Sequence, residues 1–80
     1  MNKLKIKKVS HRKVGNINRY EIINSDKNFE YFIEGNSLNG YLIYEKTRIA
    51  DGKHSTGFKF DGSRGLTKAK TRLIELYNKN

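Results

Sequence analysis

The 80-residue chain contains no cysteine, which removes disulfide frameworks, zinc ribbons and thiol catalysis at once. Its two histidines, His11 and His54, stand far apart in the sequence, so no metal cluster and no cofactor are expected. No apolar run approaches the roughly 20 residues that span a bilayer. The lysine-rich start is not followed by an apolar stretch, so it does not read as a signal peptide. These absences lead to the expectation of a soluble cytoplasmic protein with no membrane partner. Tryptophan and proline are missing too, so the core must be built from Tyr, Phe and Ile. The most telling absence is local, because residues 1–19 contain no acid at all.

What is present is positive charge, and it is segregated. Residues 1–19 carry Lys3, Lys5, Lys7, Lys8, Arg12, Lys13 and Arg19. Residues 20–50 carry five acids against three cations, and residues 51–80 carry seven cations against three acids. The total is +9, with both ends basic and the middle slightly acidic. A segregated field is directional and draws polyanions to one side. The expected partner is therefore nucleic acid, provided that the cations of the two ends converge on one surface. A lysine-rich solvated surface is the plain alternative, an acidic protein a lesser one, and a host nucleic-acid-handling protein is the second candidate partner. Lysine, asparagine and isoleucine supply 12, 9 and 8 residues, a usage that often accompanies AT-rich coding sequence, common in phages and low-GC bacteria.

A chain of this length is one small domain, here residues 1–80, burying only about 60% of its unfolded surface. Its apolar residues have two periods. Lys3 to Lys7 alternate like a strand, His11 to Asn16 read as a loop, and Ile17 to Ile23 read as a second strand. Ser25 to Asn28 are turn residues. Phe29 to Glu34 form a third strand, with Phe29, Tyr31 and Ile33 on one face and Glu30, Phe32 and Glu34 on the other; the latter patch could meet a protein. Gly35, Asn36 and Ser37 break that strand, and Gly40 is a further loop residue. Tyr41 to Ile49 give a fourth strand, Asp51-Gly52 a hairpin turn, and His54 to Phe60 a fifth strand. From Leu66 the period lengthens: Leu66, Ala69, Leu73, Leu76 and Tyr77 make one stripe of a helix over about 68–78, with Thr67 as its N-cap and Lys68, Arg72 and Lys79 on the opposite side. The expected architecture is α+β, an antiparallel meander of about five short strands packed on one C-terminal helix, with the second sheet face partly open.

The candidate binding residues follow from charge and position. Lys3, Lys5, Lys7 and Arg12 lie in the basic N-terminal segment, and Lys53, His54 and Lys59 on the last hairpin. Arg64, Lys68, Lys70 and Arg72 surround the helix start. Cations in a first helical turn oppose the helix dipole, so Arg64, Lys68 and Lys70 make better sense around a phosphate. Tyr20, Tyr31, Tyr41 and Tyr44 would stack on bases wherever they reach the open face. Catalytic RNA cleavage would require an acid and a base near a cation, for which His54 with Lys53, and His11 beside Arg12, are the only material.

The segment Gly65-Leu66-Thr67-Lys68-Ala69-Lys70 resembles the last helix start of double-stranded RNA-binding domains. Asp51-Gly52-Lys53-His54, with Phe58 four residues after the histidine, resembles the hairpin of the same family. The resemblance implies that Lys53 and His54 contact the RNA minor groove and that Lys68 and Lys70 contact phosphates. The order Asp51-Gly52-Lys53, Gly57-Phe58 and Thr67 is also similar to the arm-binding domain of phage integrases. That likeness implies Lys53, His54 and Lys59 on a sheet laid in the DNA major groove. A third resemblance, to small histidine-dependent RNase toxins on an RNA-binding-like fold, implies a role for His54. The expectation carried forward is a non-enzymatic protein that binds nucleic acid mainly through phosphates, structured RNA before DNA.

Overall fold

The structure, a computed structural model, describes residues 4–24, 29–47 and 54–79. It is an α+β fold. Five antiparallel strands run in meander order, β1 (Ile6–Arg12), β2 (Ile17–Ile22), β3 (Phe29–Asn36), β4 (Gly40–Thr47) and β5 (His54–Phe60). One helix, α1 (Gly65–Lys79), packs on β3, β4 and β5. The turns expected at Ser25–Asn28 and Asp51-Gly52 lie outside the described residues.

Period-two alternation places Tyr20, Ile22, Tyr31, Ile33, Tyr41 and Ile43 on the sheet face beneath the helix, where they form one cluster with Ala69, Leu73 and Tyr77. Ile33, Ile43 and Leu73 have no exposed surface. Each such side chain contributes about 1.5–3 kcal/mol from burial, so these strands and the helix stabilise one another. Leu4, Ile6, Phe58 and Phe60 close the cluster's margin.

The strand edges differ from the sequence expectation for physical reasons. β1 begins at Ile6 and continues to Arg12, across residues read as loop. From Lys7 onward its side chains are all exposed, so hydrophobic alternation cannot report it. The backbone ladder does, pairing His11 with Asn18 and Arg12 with Ile17, with a bulge at Val9. β3 runs through Gly35 and Asn36 rather than stopping before them. A Cβ on Gly35 would lie 2.0 Å from the Gly40 carbonyl oxygen, so glycine marks a close approach here and not a break.

The helix also starts earlier than expected. The Arg64 carbonyl accepts from the Lys68 N–H at 3.1 Å, and the Gly65 N–H donates to the Gly62 carbonyl at 3.0 Å. Thr67 is therefore not the N-cap but a residue of the first turn, whose carbonyl accepts from the Thr71 hydroxyl at 3.1 Å. Gly65 permits this, because a Cβ there would meet the Phe60 carbonyl oxygen at 2.7 Å and the Tyr41 ring at 3.2 Å. The helix start is pressed onto the end of β5. No described helix is long and apolar enough to cross a membrane.

Candidate nucleic-acid interface

The register defines the two ends of the sheet. One row runs Asn18, Gly35, Tyr41, Phe60, and His11 joins it from β1. The β1–β2 turn, the β3–β4 turn and the start of α1 all lie at this end. Asn36 ties the two turns together. It is 5% exposed, its Nδ2 donates to the Asn16 carbonyl at 2.8 Å, and its Oδ1 accepts from the Leu38 and Asn39 N–H groups at 2.9 and 2.7 Å. Sequence reasoning took Asn36 for a loop residue. Its role as the anchor of the basic β1–β2 turn depends on a contact twenty residues away.

The candidate cations fall into three places. Lys5 and Lys7 stand at the far end of β1, with Lys7 opposite Glu21. Arg12 and Lys59 both line a recess of about 340 Å³ on the open face, with Glu34, Asn36 and Tyr44. Lys59 also pairs with Asp61 at 3.7 Å. Arg64 immediately precedes α1, and Lys68, Lys70 and Arg72 lie along its first two turns. At 3.6 residues per turn Lys68 and Lys70 diverge by about 200°, so they do not face one anion at the helix start as expected. Lys68 and Arg72 line the flank toward β5, and the Lys70 ammonium stands 5.5 Å from the Tyr20 ring centre on the flank toward β2. Lys3 and Lys53 lie outside the described residues, and of His54 only the backbone is described, at the start of β5.

One meeting of the two basic ends does occur. Lys8 of β1 is paired directly with Tyr20 of β2, and Ile6 with Ile22, on the helix side of the sheet. Directly opposed residues have Cβ atoms about 5 Å apart. Tyr20 is thus flanked by Lys8 from one side and Lys70 from the other, and its ring meets Tyr41 edge-on at 6.4 Å. Burial, and then the neighbouring Tyr41, push the Tyr20 hydroxyl above its ordinary value of 10.0. It therefore stays protonated at physiological pH. Tyr20 is one of several stacking candidates in the sequence, and no local pattern links it to Lys8 and Lys70, which lie 12 and 50 positions away.

The open face is less available than expected. Phe32 is 1% exposed although no second layer covers it. The Arg19 guanidinium sits 3.8 Å from its ring centre and Tyr44 stacks on it at 5.5 Å. Arg19 in turn pairs with Glu21 and, at 3.6 Å, with Glu34. The Glu30–Phe32–Glu34 patch therefore offers no free aromatic to a protein partner, because Arg19 and Tyr44 close it. Tyr31 and Tyr41 are core residues beneath the helix, so Tyr44 and Tyr20 alone among the four tyrosines lie outside full burial.

The histidines are not assembled as a pair. The His11 backbone lies at one end of β1, while that of His54 lies opposite Glu45 at the other end of β5. Those strands are opposite edges of the sheet, about 19 Å apart at the usual strand spacing. His11 Nδ1 is instead 2.6 Å from Asn18 Oδ1. No group of three His, Cys, Asp or Glu side chains suited to a metal is found among the described residues. Comparisons with protein-family models, curated proteins and solved structures find no match to this chain.

Proposed function

We propose that this chain is a non-enzymatic nucleic-acid-binding protein that holds its target mainly by phosphates, structured RNA before DNA. The observation that carries this reading is the bracket of Lys8 and Lys70 around Tyr20, in which cations from the two basic ends share one surface. The state of the neighbouring cations supports it. Lys5, Lys7, Lys8, Arg12, Lys13, Lys68 and Lys70 hold no ion pair with a described residue. Exposed lysines on an edge strand also prevent edge-to-edge aggregation. That purpose requires a few charges on β1, and it does not require a lysine on the helix flank facing them. The preference for RNA rests on the resemblance of the Gly65–Lys70 and Asp51–His54 segments to double-stranded RNA-binding domains.

The test is a salt titration of binding to an RNA stem-loop and to a DNA duplex of the same sequence. Phosphate binding makes log K fall linearly with log salt, by about 0.9 per phosphate on B-DNA and less on single strands. Replacing Lys8 and Lys70 by Gln should lower the slope by about one per lysine and weaken both targets alike. An unchanged slope removes Tyr20's surroundings from the interface. A second reading, a module that binds and inhibits a host protein, has one observation of its own. Val14 and Leu38 are 83% and 86% exposed on the two turns that Asn36 joins. That reading requires a stoichiometric complex in host lysate that survives nuclease treatment.

A further inference from the structure

The flank of α1 that faces β5 carries a feature that phosphate binding alone does not use. Between the helix and this edge strand lies an open, mainly apolar groove of about 600 Å³, within the range of small-molecule sites. Phe58 and Phe60 form one wall, and Lys68, Thr71, Arg72 and Glu75 the other. Arg72 was expected on the solvent side of the helix. Its guanidinium instead lies 4.3 Å from the centre of the Phe58 ring, and its Nη1 donates to Glu75 Oε2 at 3.3 Å. The Arg72 Nε is buried and has no hydrogen-bond partner among the described residues.

We infer that this groove takes an unpaired base, stacked on the Arg72 guanidinium, when the protein binds RNA; the inference rests on the nucleic-acid reading above. A guanidinium is planar and weakly hydrated on its faces, so one face can rest on an aromatic ring while the other accepts a base. Phe58 and Glu75 fix the plane in advance, which lowers the ordering cost of binding. Lys68 lies four residues earlier on the same flank, about 6 Å along the axis, and holds no ion pair with a described residue. It is placed for the phosphate next to the stacked base. A duplex keeps its bases stacked internally and has none to offer, so single-stranded segments and loops are the favoured occupants. An acidic peptide would suit Lys68, but it would leave the flat cation without a stacking partner.

The experiment titrates the full chain into a ten-nucleotide single-stranded RNA carrying one 2-aminopurine, and into the same RNA annealed to its complement. The wild type should bind the single strand and quench the fluorescent base. Arg72→Lys keeps the charge but removes the plane. It should lose the quench and bind the single strand about tenfold more weakly, while duplex binding changes by less than twofold. Phe58→Leu should repeat this pattern; Arg72→Lys, at a half-buried position, decides if Phe58→Leu melts. Retained quench in Arg72→Lys overturns the inference and leaves phosphate binding standing. Equal losses for single strand and duplex also overturn it, since they show that Arg72 does not distinguish an unpaired base from a paired one. Competition by an acidic peptide without any quench by the wild type overturns it as well. A wild type that binds neither RNA overturns both this inference and the function it rests on.

Discussion

The two faces of the sheet bury aromatic and aliphatic side chains by different means. Beneath α1, Ile33, Ile43 and Leu73 lose all exposure because one apolar layer lies on another. On the opposite face Phe32 is buried almost as fully with no layer above it, because Arg19 and Tyr44 lie on its ring and Glu21 and Glu34 hold Arg19 there. A domain of 80 residues has too little chain to cover both faces with secondary structure. Long side chains do the covering instead. The comparison also sorts the cations. Arg19 is neutralised and structural, whereas Lys8 and Lys70 remain available to a partner.

The largest effect should come from opening the helix-covered side. Leu73→Ala should cost about 2–5 kcal/mol, read as a lower denaturation midpoint, because the rigid sheet beneath it cannot close the cavity. A loss below about 1 kcal/mol would mean that the helix is only loosely docked. An intermediate effect is expected on the open side. Arg19→Gln removes the cation from the Phe32 ring and one partner from each glutamate, and should cost about 1–2 kcal/mol. It should leave RNA affinity within twofold, since its charge is already matched. A fall in affinity as large as that of the Lys8 and Lys70 substitutions would show that the two classes of cation are not distinct.

The smallest effect concerns pH. The hydroxyl of Tyr20 ionises at a higher pH in the folded chain than in the unfolded one. The unfolded chain therefore loses this proton first as pH rises. The stability tied to the neutral hydroxyl is fully present below about pH 10 and is lost as pH climbs through the raised folded value. Tyr20→Phe should flatten the decline of stability above pH 10, compared in parallel melts of the two proteins. An identical decline would place Tyr20 in a more aqueous setting than its position beside Tyr41 gives it.

Much of the fold was legible wherever a face was half buried. The alternation in Ile17–Ile22 and Phe29–Glu34, and the lengthened period from Leu66 to Tyr77, each report burial against a neighbour, and the strands and helix follow. β1 was misplaced because its outer half buries nothing, so only its backbone ladder to β2 defines it. Thr67 was misassigned as a cap because the turn from Gly62 to Gly65 admits the chain to the helix a turn sooner. For the interface, sequence reasoning found the cations but not their grouping. Nothing local distinguishes Arg19, locked on Phe32, from Lys8, which is open to solvent, nor places Arg72 over Phe58.

The amino-acid order by itself settled the composition of the layers and the segregation of charge, since both depend on residue type and spacing along one element. Tertiary structure alone decided which cations face which rings, because those distances span strands and helix brought together by the core. Lys8 and Lys70 are 62 positions apart in the chain, and the register of β1 on β2 and the packing of α1 on β3 to β5 bring them to the two sides of one tyrosine.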